Sequence, residues 1–224
     1  MQFSSHILAF IKNIQFNIDL PPGIVVMNPF ANKETMKICE QFYKKYYSDT
    51  HKRSMIIGIN PGRFGGGVTG IPFTDPIRLE EVCGIENNWP RKQELSSLYM
   101  YDMINAYGGP EKFYKKFYIT AVSPLGFTSG NKNLNYYDNK QLEKNIEEFV
   151  ITSMKQQLTF GIETDKLFCL GEGKNFSYIS KLNAQHKFFD QVIPLSHPRF
   201  IMQYRLKKKE DYIAKYLSAF NESN

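Results

Sequence analysis

Short apolar runs alternate along this chain with segments in which apolar residues recur every three or four positions. The runs at Ile24–Met27, residues 55–59, 118–122 and 167–170, and Gln191–Leu195 are each bounded by glycine, proline or charge. Short continuous runs of this kind suit strands buried on both faces, as in parallel sheets. The segments between them carry helix signals. Asp75-Pro76 places a capping side chain and a first-turn proline ahead of IRLEEV. Residues 97–107 stop at Gly108-Gly109, where a residue able to take positive φ ends a helix. Asp138 and Gln141 have capping-box spacing ahead of Leu142, Ile146, Phe149, Val150 and Leu158. Tyr212, Ile213, Tyr216, Leu217 and Phe220 share one side of a last helix. Strand–helix alternation predicts an α/β sandwich around a mostly parallel sheet.

Composition narrows the class. Hydrophobic residues make up 42% and charged residues 22% of 224, ordinary globular usage that excludes disordered, collagenous and coiled-coil chains. The length fits one domain, residues 1–224, with residues 1–50 expected as an N-terminal helical cover. No run approaches the ~18 apolar residues that a bilayer span needs. The opening MQFSSHILAFIKN lacks a basic start and a small-residue cleavage site, so no signal peptide and a cytoplasmic location are expected. Cys39, Cys83 and Cys169, and His6, His51, His186 and His197, lack metal-ligand spacing; neither a metal nor a disulfide framework is expected. The net charge of +6 permits a nucleic-acid partner without demanding one.

Ligands of open α/β sheets bind beyond the carboxyl ends of the strands. Two unusual loops leave such ends: GINPGRFGGGVTGIPF at residues 58–73 and SHPRF at 196–200. The glycines of the first let backbone approach a ligand closely, and polar Asn60 follows the apolar run directly. Residues 65–70 match G-x-G-x-x-G, but the strand ends too early and Pro72 stands where a nucleotide-binding helix would begin. No P-loop and no G-x-S-x-G is present. GEGKNF at residues 171–176 reads as a turn entering a helix, and Asp75 as a cap. In the second loop His197 is followed by Pro198, then by Arg199 and Phe200, suited to a phosphate and a base. RLKKK at residues 205–209, with Arg205 and Lys207, would add phosphate contacts.

At these residues the chain resembles the single-strand-selective monofunctional branch of the uracil-DNA glycosylase superfamily. Residues 58–73 are similar to that family's first motif, G-[small apolar]-N-P-G, then F-G, then T-G-[apolar]-P-F. Asn105, Gly108, Pro110, Glu111, Phe113, Pro124 and Phe127 match its middle segment, SGNKNL at 129–134 a family loop, and His197-Pro198 the start of its second motif. The resemblance spans residues 24–217. It implies a three-layer α/β/α sandwich with a mainly parallel four-stranded central sheet. It also implies hydrolysis of the bond between a damaged base and deoxyribose, DNA as partner, a monomer, and neither metal nor cofactor.

By the same resemblance Asn60 positions the attacking water and His197 donates to the base carbonyl as it gains charge. Phe73 stacks on the extruded base, with backbone near Ile59 and Phe73 reading its edge. Pro61, Gly62 and Phe64 complete the motif's base-binding set, Gly62 leaving room beside C5. Arg199 and Phe200 are the implied wedge, and Arg205 and Lys207 join them on the DNA. Two positions depart from the family. Ala121 stands where an asparagine usually pairs with the uracil edge, which leaves Ser123 or a water to replace it, or a pocket open to hypoxanthine and xanthine. The second motif, usually H-P-S-P-R-N, is shortened to His197-Pro198-Arg199-Phe200. Two other readings use the same residues: a non-catalytic module that binds damaged or single-stranded DNA, and an enzyme acting on free nucleosides or nucleotides.

Overall fold

The computed structural model describes residues 1–221. In chain order its elements are α1 (Phe3–Lys12), β1 (Ile24–Met27), α2 (Lys33–Tyr47), β2 (Arg53–Gly58), α3 (Gly66–Thr69), α4 (Pro76–Glu81), α5 (Leu95–Tyr107) and α6 (Pro110–Lys116). Then follow β3 (Phe117–Ala121), β4 (Gly126–Ser129), β5 (Lys132–Leu134), α7 (Lys140–Asn145), α8 (Glu147–Leu158), β6 (Ile162–Leu170), α9 (Lys174–His186), β7 (Gln191–Leu195), α10 (Pro198–Tyr204) and α11 (Lys209–Asn221).

Four of the expected strands form the central sheet, in the order β3-β2-β6-β7 with every pair parallel. Helices flank it, and every residue of β2 and β3 is buried. This is the doubly covered sheet that continuous apolar runs demand. The fifth expected strand belongs elsewhere. Ile24–Met27 pairs antiparallel with β4, and β4 with β5, in a separate three-stranded sheet. β1 alternates buried Ile24 with exposed Val25, a half-covered pattern that four residues are too few to declare. β4 and β5, GFTS and KNL, are short and largely polar, so only their pairing makes them strands.

β6 is longer than its apolar run. Residues 162–166 extend it past a register shift opposite Ser54 and Met55, with their charged side chains outside. The expected cap at Asp138 also moves. Asn139 accepts from the Leu142 N–H and caps α7, while Asp138 closes a capping box with Asn135 one turn earlier. Asp75 caps α4 through the Arg78 N–H, and Gly108, at φ +113°, ends α5.

One buried charge ties the amino-terminal region to the sheet. Arg53, fully buried at the start of β2, pairs with Asp49 at 2.9 Å and donates through Nε to the Tyr114 carbonyl at 2.7 Å. Its guanidinium also lies against the rings of Phe3 and Tyr47, 4.6 and 4.7 Å from their centroids. A buried cation persists only when paired and hydrogen-bonded in this way. α1, α2, α6 and the central strand are thereby held at the amino end of the sheet, opposite the loops that follow Gly58, Ala121 and Leu195.

Candidate active site

Gly58 of β2 and Ala121 of β3 are register partners at the carboxyl ends of their strands. Just beyond them lies a cavity of about 120 Å³. Ile59, Asn60, Pro61, Gly62, Phe73, Ala121, His197 and Arg199 all line it, together with Glu94 and Asn133. Side chains separated by more than a hundred positions are thus brought together because parallel strands end at one rim.

Asn60 is held at both ends of its amide. Oδ1 accepts from the Tyr136 N–H at 2.9 Å, and Nδ2 donates to the Leu134 carbonyl at 3.1 Å. One partner is a donor and the other an acceptor, so the orientation of the amide is fixed. Oδ1 keeps a second lone pair. Tyr136 is anchored in turn, its hydroxyl donating to Asn175 Oδ1 at 2.8 Å, and Asn175 Nδ2 to the Leu170 carbonyl at 3.0 Å.

His197 caps α10. Its Nδ1 accepts from the Arg199 N–H at 3.1 Å, so in the neutral ring the proton sits on Nε2. Burial, reinforced by the Arg199 charge, pushes its pKa down to about 4. At neutral pH it is therefore an uncharged donor.

Phe73 adopts φ +54°, a region bulky residues rarely occupy. Such strain survives only where surrounding bonds impose it. Here Thr69 does so: its hydroxyl accepts from the Ile71 N–H at 3.2 Å and donates to the Thr74 carbonyl at 2.7 Å, bracketing the turn. The ring fills the space that glycine leaves at position 58, where a Cβ would lie 2.8 Å from it.

Several expectations are corrected. Ser123 does not line the cavity; its buried hydroxyl donates to the Leu125 carbonyl at 2.7 Å, so it cannot stand in for an asparagine at 121. Phe64 also lies off the wall. It is 41% exposed, with Lys92 Nζ 4.6 Å and the Arg63 guanidinium 5.2 Å from its centroid. Arg199, expected only on the DNA, reaches the cavity as well. Phe200, with the Arg205 guanidinium 5.3 Å from its centroid, is exposed on α10, and Lys207 is exposed just after it. Tyr204 and Leu206, 66% and 58% exposed, extend this apolar and basic surface.

Glu94 and Tyr136 escaped the sequence reading, and Asn133 and Thr69, though inside stretches similar to the family, were given no role there. Glu94 lies in a polar stretch with no motif, and Asn133 and Tyr136 sit in a loop whose approach to Asn60 depends on the β1-β4-β5 sheet. The spacing T-G-I-P-F did contain Thr69, but nothing in it announced a clamp.

A strained aromatic ring, a neutral imidazole and an amide fixed at both ends thus meet around one cavity at the carboxyl rim of a parallel sheet. The model of the uracil DNA glycosylase superfamily matches residues 44–221, and the chain belongs to that superfamily. It is a DNA glycosylase. Within the superfamily it is similar to SMUG2 of Pedobacter heparinus, whose wild-type crystal structure shares 52% identity at a TM-score of 0.98, over 100% of this chain and 99% of that one. No curated protein matches it.

Proposed function

We propose that this enzyme hydrolyses the N-glycosidic bond of uracil in DNA, accepts the deaminated purines hypoxanthine and xanthine as further substrates, and so initiates base excision repair as a monomer. The observation that carries the reading is the convergence of Phe73, Asn60 and His197 on one cavity. The extruded base stacks on Phe73. As the bond to C1′ lengthens, the sugar gains oxocarbenium character and the base gains negative charge. His197 Nε2–H donates to the base carbonyl oxygen that receives this charge; an oriented donor in a dry site is worth ~10²–10³ in rate. Asn60, with its free Oδ1 lone pair, orients the water that attacks C1′.

Selectivity rests on Ala121. It is buried on the cavity wall and its methyl group cannot pair with a base edge. Recognition then falls to backbone groups near Ile59 and Phe73, which favours tolerance over strict uracil choice. Arg199, Phe200, Arg205 and Lys207 carry the flanking DNA.

The test is base release from oligonucleotides containing uracil, hypoxanthine or xanthine, followed by alkaline cleavage at the abasic site. Release of uracil and at least one purine is expected, and Ala121→Asn should shift the ratio toward uracil by about tenfold. Tight salt-sensitive binding without release would indicate a binding module, and turnover confined to free deoxyuridine would indicate a nucleoside hydrolase.

A further inference from the structure

The proposed reaction leaves one proton without a destination. The attacking water must lose it, and an asparagine is no base. His197 cannot take it, because its Nδ1 lone pair is occupied by the Arg199 N–H. Asp75 lies near, but Oδ1 accepts from the Arg78 N–H at 2.8 Å and Oδ2 from the Glu94 N–H at 2.9 Å.

Among the described residues lining the cavity, Glu94 is the one carboxyl group. It stands at the amino end of α5, turned against the glycine-rich loop. A Cβ on Gly62 would lie 3.3 Å from its Oε1, and one on Gly65 would overlap its Oε2. Glycine at these positions therefore makes room for a carboxyl at the edge of the site. A capping role does not explain the side chain, for it forms no cap hydrogen bond. Resting on the reading above, we infer that Glu94 is a further catalytic residue, the general base that takes the proton of the attacking water.

The step balances. The C1′–N bond breaks and its electron pair leaves with the base, held at the carbonyl oxygen by His197 Nε2–H. A lone pair of the water oxygen forms the bond to C1′, and the water proton passes to a Glu94 carboxylate oxygen. The charged groups around Glu94 suit the task. Burial and the neighbouring Asp75 carboxylate raise its pKa to about 7, partly offset by Arg199. A carboxyl raised this far has its base form within reach near neutral pH, the range in which proton acceptors work best.

Single-turnover uracil release by the full chain between pH 5 and 9 tests this. The wild-type rate should rise with pH around a midpoint near 7. Glu94→Gln should lower it about 10²-fold and abolish the rise, while binding to product abasic DNA stays within about threefold. Its melting temperature at pH 8 should be no lower than wild type, since a desolvated carboxylate is removed. Formate should restore release to Glu94→Ala. A Glu94→Gln enzyme with wild-type rate or an unchanged pH limb, or a folded Glu94→Ala enzyme unmoved by formate, overturns the assignment. Wild-type protein that releases no base removes the underlying function instead.

Discussion

The rings of Phe73 and His197 lie 5.9 Å apart, centroid to centroid, and are tilted by 51°. They come from loops after β2 and β7, strands separated in the sheet by β6. A base stacked on Phe73 is thereby within reach of the imidazole, and the spacing depends on how Phe73 is seated. Gly58→Ala should unseat it, because the new methyl group would press on the ring at 2.8 Å. Overpacking of this kind costs about 1–3 kcal/mol. We expect uracil release to fall more than tenfold and thermal melting to shift down by several degrees, both measured on one preparation.

His197→Ala should lower turnover by ~10²–10³ with little change in DNA affinity. The imidazole also marks stability. Its folded pKa of about 4 lies below the ordinary 6.5, so between those values the unfolded chain holds more protons. Its contribution is present above pH 6.5 and is lost as pH falls toward 4. Denaturant melts across this window should show a shallower acid loss for His197→Asn than for wild type.

Asn60→Asp should be structurally costly. It places a carboxylate oxygen where Nδ2 now donates to the Leu134 carbonyl at 3.1 Å. Losing the donor leaves that carbonyl unpaired and repelled, roughly 1–3 kcal/mol. The deficit should shrink in acid, where the carboxyl regains a proton to donate. Thermal melts at pH 4 and pH 8 check it.

Arg205→Ala and Lys207→Ala should each weaken DNA binding without altering base preference. Both side chains are exposed beside α10, away from the cavity wall. Each lost phosphate contact should reduce the slope of log affinity against log salt by about 0.7–0.9, read from fluorescence anisotropy between 50 and 200 mM salt.

Much of this was legible because local physics wrote it. Residues 55–59, 118–122 and 167–170 are near-continuous apolar runs of the kind a covered parallel sheet buries, and together with 191–195, half-exposed at the sheet edge, all four are there. Asp75-Pro76 and Gly108-Gly109 announced helix ends through side-chain capping and positive φ. Asn60 and His197 drew attention because their loops leave strand ends, and Phe73 through the resemblance of residues 58–73 to a family motif. Ile24–Met27 misled because an apolar run does not state its partner, and β4 is four residues of mixed character.

By itself, then, the sequence determined the class of sheet, the loops that serve it and the residue types offered to a base. Only the tertiary structure decided which of them meet. It turned Ser123 toward Leu125 and Phe64 toward solvent, brought Arg199 to the cavity, and set Glu94 against Gly62 and Gly65. The reason is physical: hydrophobic period and capping act over a few residues, whereas a side chain's direction and its free lone pairs depend on neighbours that chain closure supplies from far away.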